Sequence, residues 1–176
     1  MSIHVARITV EEYLKLPEPK QGHLELHPGE VILMPPAKAG HQRIQDRVQM
    51  LLKALLGAYG SVRMEMAFRP RSEYEVWVAD VGCISQERQN ATPQDEYIAG
   101  APDLVVEVLS AGNTMYEIND KMAICLNNGC VSFWVVDPKR KRVSVTEGNV
   151  SRHYDEMDLI SCSLFSGQIQ VRKVFE

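Results

Sequence analysis

The sequence predicts a mixed α/β protein in which a helix is followed by three strands, a second helix and a further strand. Apolar residues recur at helical spacing in residues 41–56 and 114–128. Runs rich in β-branched residues, PDLVVEVLS (102–110) and VSFWVVDP (131–138), are typical of buried strands. A chain of 176 residues can bury a sizeable core, and we expect one domain over residues 1–176.

The composition is that of an ordinary soluble globular protein, with 45% hydrophobic and 24% charged residues. No apolar stretch approaches the roughly 20 residues of a membrane span, and the N-terminus lacks a signal-peptide core, so we expect a cytoplasmic protein. The net charge of −4 argues against a protein that coats nucleic acid generally. The cysteines form no CxxC pair, and we expect reduced, buried thiols at Cys83, Cys125, Cys130 and Cys162.

The first elements are a short helix, a hairpin and a long helix. In residues 9–18, Thr9 can cap a helix that Pro17 stops. Residues 23–34, HLELHPGEVILM, alternate polar and apolar residues on both sides of a Pro-Gly turn, which predicts a hairpin. Residues 41–56 follow as an amphipathic helix that a glycine can end. Its apolar face consists of Ile44, Val48, Leu51, Leu52 and Leu55.

The remaining elements form the predicted sheet and its second helix. A helix over residues 114–128 can end at Gly129, and residues 142–148 are expected to pair with strand 131–138 as a hairpin. Residues 86–101 are the least regular part and predict a mobile surface segment. The three strands that precede the second helix are SVRMEMAFRP (61–70), EVWVADVGCIS (75–85) and PDLVVEVLS (102–110).

One carboxylate interrupts the most apolar strand. Glu107 stands in an aliphatic run, so it must be protonated, paired or bound to a cation. On the preceding strand Asp80 ends the stripe of Val76 and Val78, and neighbouring strands would bring the two carboxylates to one cation. Hard oxygen ligands favour Mg²⁺ or Mn²⁺ over zinc. The alternatives are a buried ion pair with an arginine or lysine, or a carboxylate that caps a helix.

Further polar candidates lie nearer the N-terminus. In HLELH, the side chains of His23, Glu25 and His27 share one face of a strand, next to the candidate acids. The alternative for the histidines is a solvated hairpin face. His41, at the start of the long helix, can face the same cleft, and Glu65 on the first core strand is an accessory candidate.

The order VAD (78–80), VEV (106–108) and a lysine on the next helix resembles the PD-(D/E)XK nuclease superfamily. More narrowly, the chain resembles the Uma-type family of restriction-endonuclease-like proteins. The resemblance runs from EEYLKLP through LELHPGEVILMPP and HQRI to GCVSFWVVDP, and residues 102–138 are its most specific part. It implies a restriction-endonuclease-like αβββαβ core with a mixed central sheet, plus an N-terminal helix and β-hairpin.

The same resemblance implies a catalytic site and a substrate. Asp80, Glu107 and Lys121 fall at the metal-ligand and lysine positions, and Glu25 is an additional acid. The implied cofactor is Mg²⁺ or Mn²⁺, and the implied reaction is hydrolysis of phosphodiester bonds in DNA. A homodimer is expected because two related sites cut both strands most simply. The alternative is a catalytically lapsed domain that binds nucleic acid or a protein partner.

The chain departs from the superfamily motif at two positions. Ala79 replaces the proline before the motif aspartate, and Leu109 stands where the usual motif has its lysine. In the Uma-type family the lysine is on the following helix, where Lys121 lies near the edge of the apolar stripe. Its stem can lie along that apolar surface and deliver the ammonium toward Glu107. The alternative is an exposed lysine paired with Glu117.

Overall fold

The computed structural model describes residues 7–71, 73–110 and 112–176, so the segment in which we looked for a signal core lies partly outside the described residues. The elements follow along the chain in the order α1 (Val10–Tyr13), β1 (His23–His27), β2 (Glu30–Met34), α2 (Ala39–Leu56), β3 (Gly60–Arg69), β4 (Trp77–Ser85), α3 (Gln86–Ala91), β5 (Ile98–Ala99), β6 (Leu104–Val108), α4 (Met115–Asn127), β7 (Ser132–Asp137), β8 (Arg142–Glu147), β9 (Val150–Tyr154), β10 (Leu159–Cys162), β11 (Phe165–Gln170) and α5 (Arg172–Phe175).

A seven-stranded mixed sheet organises these elements, in the order β5-β3-β4-β6-β7-β8-β9. The β3–β5 and β6–β7 pairs are parallel and the other neighbours are antiparallel. The helix α2, the strands β3, β4 and β6, the helix α4 and the strand β7 form the predicted αβββαβ core. The predicted mixed α/β fold class is therefore confirmed.

Both faces of β6 are covered, which explains its nearly continuous aliphatic sequence. Leu104, Val106 and Val108 pack in the core cluster that includes α2, whereas Val105 packs in the cluster that includes α4. Because side chains alternate along a strand, Glu107 lies on the face that α4 covers. The sheet thus puts this carboxylate beneath the helix that carries Lys121.

The helices begin and end close to the predicted residues. Thr114 and Glu117 form a capping box at the start of α4, and the backbone enters the left-handed region at Gly129 just after the helix. The helix α1 has a capping box from Thr9 but ends at Tyr13, before the expected Pro17. The hairpin of β1 and β2 is joined to the rest of the chain by backbone hydrogen bonds between Leu26 and Val76.

Two regions differ from the sequence-based expectation. Residues 86–101 contain α3 and β5 instead of an irregular loop. These residues are ordered because Arg88 forms a salt bridge with Asp103 and donates a hydrogen bond to the carbonyl of Ala99. At the C-terminus, β9, β10, β11 and α5 extend the fold, and Ile160, Ile169 and Val174 join the core cluster of α2.

The four cysteines are free and buried, as predicted. Among the described residues, every helix is too short or too polar to cross a membrane.

Candidate active site

A groove of about 1740 Å³ runs between the N-terminal half of α2 and the segment that joins β6 to α4. Six of the candidate residues chosen from the sequence line it: Glu25, His41, Glu65, Asp80, Glu107 and Lys121. They come from both long helices, the hairpin and three neighbouring strands, so only the folded chain brings them together.

Asp80 is held by hydrogen bonds from two elements. His41 Nε2 on α2 donates to Oδ1 at 3.0 Å, and the amide of Val108 on β6 donates to Oδ2 at 2.6 Å. The hydrogen bond to Asp80 raises the pKa of His41, although burial opposes this. Asp80 is the fourth residue of β4 and does not end the strand, because the apolar pattern resumes with Val81. The amide contact links Asp80 to the residue that follows Glu107.

Glu107 and Lys121 form a buried ion pair. Lys121 Nζ lies 2.8 Å from Glu107 Oε1 and donates to the carbonyl of Val78 at 2.7 Å. Only 8% of Lys121 is exposed, so the residue is more deeply buried than a position at the edge of the apolar stripe predicts. The alternative pairing with Glu117 is wrong, since that carboxylate accepts from Thr114 in the helix cap.

Charge and burial oppose each other in this pair. Burial raises the pKa of Glu107, the attraction of Lys121 opposes this increase, and the nearby charges of Asp80 and Glu25 add to it. Burial alone would lower the pKa of Lys121, but Glu107 and Glu25 outweigh it and raise that pKa above its usual value. The ammonium therefore stays charged among several carboxylates.

Glu25 is 3% exposed and is the centre of the polar face predicted on β1. His23 Nε2 lies 3.2 Å from one carboxylate oxygen and His27 Nε2 lies 2.7 Å from the other. Burial alone would raise the pKa of Glu25, but Lys121 and the two histidines hold it at about 2. His27 also stacks on Trp77, with ring centroids 3.9 Å apart, so the interpretation as a solvated face is wrong for His27, whereas 37% of the His23 side chain is exposed.

Gln45, which is buried on α2, is a further residue of the site that the sequence did not indicate. Its Nε2 donates to Glu65 Oε1 at 2.5 Å and to Asp80 Oδ1 at 3.0 Å. The available signal was its position four residues after His41, which puts both side chains on one face of α2. A glutamine on the buried side of a helix needs polar partners, and here one amide joins the carboxylates of two strands.

The backbone at Glu65 is unusual as well. Its φ is +47°, a left-handed conformation that costs a residue with a β-carbon free energy. The β3–β4 pairing matches Met64 with Val81 and Met66 with Ala79, and no pair is formed by the residues between them, Glu65 and Asp80. The pairing of β3 with β4 is thus interrupted at Glu65 and Asp80, the two residues of these strands whose carboxylates line the groove.

The donor set suits a hard divalent cation. Six acidic residues line the groove, and four of them, Glu25, Glu65, Asp80 and Glu107, are the candidate acids. Glu107 Oε1 is buried without an aligned hydrogen bond and is in ionic contact with Lys121. Among the described residues, however, no three acidic, histidine or cysteine side chains already stand close enough to enclose an ion. The residues therefore fit Mg²⁺ or Mn²⁺ by chemistry, and binding by three of them requires side-chain rearrangement.

Comparison with known proteins identifies the family of the chain. The family model of Uma2, described as "Putative restriction endonuclease", matches residues 10–172. The chain belongs to the Uma2 family. The Uma2 assignment covers all six candidate residues, confirms the resemblance noted in the sequence and supports a nuclease.

A solved structure shares the Uma2 chain's fold. It is the crystal structure of a "putative nuclease belonging to DUF820" from Anabaena variabilis, with a TM-score of 0.81 and 22% sequence identity. The match covers 96% of this chain and 97% of the other chain. The curated proteins include no match to this chain.

Proposed function

We propose that this chain is a Mg²⁺- or Mn²⁺-dependent endonuclease that hydrolyses phosphodiester bonds of DNA. The observation that supports this most is the buried contact of Lys121 with Glu107 beside Asp80. A lysine and two carboxylates are the groups that this hydrolysis uses, and the Uma2 family supplies the reaction class.

In this proposal Asp80 and Glu107 hold the ion, and Glu25 completes its shell directly or through water. An ion held by these residues would supply acidification of the attacking water and neutralisation of charge on the phosphate. Lys121 stabilises negative charge on the phosphate oxygens or orients the attacking water. The water oxygen forms a bond to phosphorus and releases one proton to solvent, the bond to the leaving oxygen breaks, and that oxygen takes up one proton from solvent.

The surrounding residues keep this set in place. His41 and the amide of Val108 orient Asp80, and the carbonyl of Val78 fixes the Lys121 ammonium. Such preorganised dipoles do not have to reorient during the reaction.

A plasmid-nicking assay tests the function. We expect supercoiled DNA to be nicked with Mn²⁺ or Mg²⁺, and to remain intact with EDTA or with the Asp80→Asn variant. Intact plasmid at every metal concentration, from protein that binds Mn²⁺ in calorimetry, would contradict a DNA endonuclease.

A second candidate is a catalytically lapsed domain that binds nucleic acid or a protein partner. The observation in its favour is that the Lys121 ammonium already neutralises Glu107, while no three-residue metal cluster is formed in the described part of the chain. Calorimetric titration with Mn²⁺ separates the two candidates, since the lapsed domain takes up no ion.

Gln45 offers a local test of the site. Gln45→Met removes the donor shared by Glu65 and Asp80, so we expect the free energy of unfolding to fall by about 1–2 kcal/mol. Because Asp80 is then less well oriented, Mn²⁺ affinity should fall about tenfold, equivalent to ~1.4 kcal/mol. The matched control is Gln49→Met, since that amide donates to the carbonyl of Val62 and lies outside the groove. Equal Mn²⁺ affinity in both variants would show that Gln45 does not orient Asp80 for ion binding.

We also infer that the chain acts in the cytoplasm as a homodimer, because two related sites cut a duplex most simply. Sedimentation equilibrium at micromolar concentration should give twice the mass of the chain. A mass equal to that of one chain would rule out the dimer at this concentration.

A further inference from the structure

Two arginines in the groove differ from most other arginines of the protein. Arg43 and Arg47 line the groove, and neither has a carboxylate within ion-pair distance among the described residues. Outside it, salt bridges with acidic side chains engage Arg71, Arg88, Arg140, Arg142, Arg152 and Arg172. Two guanidinium groups thus remain available beside an acidic site.

The helix α2 presents these arginines in a fixed arrangement. They are four residues apart, so they share one side of the helix and are separated by about 6 Å along its axis. The opposite side of α2 is anchored by Val48, Leu52 and Leu56, which are at most 1% exposed. His41 and Gln45, which hold Asp80, lie on that same anchored side of the helix. The arginines therefore stand at a fixed position relative to the candidate catalytic carboxylate.

The charge of the groove floor explains why cations are needed there. Glu25, Glu65, Asp80 and Glu107 all line the groove, and the chain as a whole carries a net charge of −4. A phosphate backbone that approaches this floor is repelled unless positive groups flank it. Guanidinium groups suit this role because their planar fork donates two hydrogen bonds to one phosphate.

We propose that Arg43 and Arg47 bind successive backbone phosphates of the nucleic-acid strand that enters the groove, so that α2 is the wall along which the substrate lies. The inference rests on the proposed function, since it assigns a binding surface to the same site. Contacts to phosphates position the strand without reading its sequence.

Salt-dependent binding tests this assignment. Fluorescence anisotropy with a labelled 20-base-pair duplex, in EDTA to prevent cleavage, gives the Kd of the parent and of the Arg43→Gln/Arg47→Gln variant between 50 and 200 mM NaCl. Each lost phosphate contact lowers the slope of log K against log salt by about 0.9. We therefore expect the slope of the double variant to be smaller by about 1.8. Its affinity at 100 mM NaCl should fall at least tenfold for several different duplex sequences.

A charge-matched control and a second readout separate this effect from others. Lys53→Gln/Arg152→Gln removes the same charge outside the groove and should keep the parent's slope. Mn²⁺ affinity and the thermal midpoint of the Arg43→Gln/Arg47→Gln variant should equal the parent's. A double variant with the parent's slope and affinity would overturn the role of the arginines while leaving the nuclease proposal standing. A parent that fails to bind any duplex at 50 mM NaCl, both in EDTA and in the presence of Ca²⁺ in place of the proposed ion, would overturn both.

Discussion

Asp80→Asn is expected to abolish Mn²⁺ binding measured by calorimetry. The substitution keeps the shape of the side chain but removes one of the two negative charges that hold the ion in the proposed site. The amide oxygen can still accept from Val108, and the loss of charge relieves repulsion of Glu107. Lost charge-assisted contacts with His41 and Gln45 oppose this gain, so we expect the free energy of unfolding to change by only ~1 kcal/mol.

The control for Asp80→Asn is Asp46→Asn. Asp46 is exposed on α2 and lines the same groove, so its replacement removes one charge without touching the candidate ligands. Screening by solvent makes such a distant charge weak, and the parent's affinity should be nearly kept. Equal Mn²⁺ affinity in the parent and in Asp80→Asn would exclude Asp80 as a ligand.

Lys121→Met is expected to slow single-turnover DNA cleavage at saturating Mn²⁺ by about a hundredfold or more, as when an electrostatic stabiliser of the transition state is lost. Arginine should rescue poorly, because its broad fork cannot replace a compact ammonium between Glu107 and the carbonyl of Val78. The control is Lys53→Met at the exposed end of α2, which should cut at the parent rate.

The sequence alone predicts that Lys121→Met leaves folding intact, but the structure requires a correction. The ammonium is buried against Glu107, so its removal leaves an uncompensated carboxylate and should cost ~3 kcal/mol of stability. The Lys121→Met/Glu107→Gln variant removes both charges and should recover most of that stability without recovering cleavage. A single Lys121→Met variant that cuts at the parent rate would show that the lysine is only a structural partner.

The core of the fold was predictable because its signals are local. The aliphatic run around Glu107 is typical of a buried strand and forms β6. Thr114 and Gly129 mark the start and the end of α4 by residue types that favour helix termini. Residues 86–101 were not predictable, since their order depends on Arg88 reaching Asp103 across the fold. The strands after β8 were missed for a similar reason, because Ile160 and Ile169 become apolar anchors only when α2 is in place.

Most residues that meet in the groove could be named from the sequence, but their hydrogen bonds and burial could not. A carboxylate in an aliphatic strand identifies Glu107 by physical argument, and the family resemblance adds Lys121. The burial of Lys121 could not be read from helix periodicity, because a buried lysine is tolerated here only through Glu107 beneath it. Gln45 was overlooked because a glutamine on a helix is ordinarily solvated, and its partners Glu65 and Asp80 lie 20 and 35 residues away.

In the proposed site, the groove holds a divalent cation between Asp80 and Glu107. Anomalous diffraction from crystals soaked in MnCl₂ measures this directly. We expect an Mn²⁺ peak that contacts both carboxylates in the parent protein and is absent from Asp80→Asn crystals. An intact Lys121–Glu107 contact with no peak in the groove at saturating Mn²⁺, or a peak bound elsewhere, would contradict it.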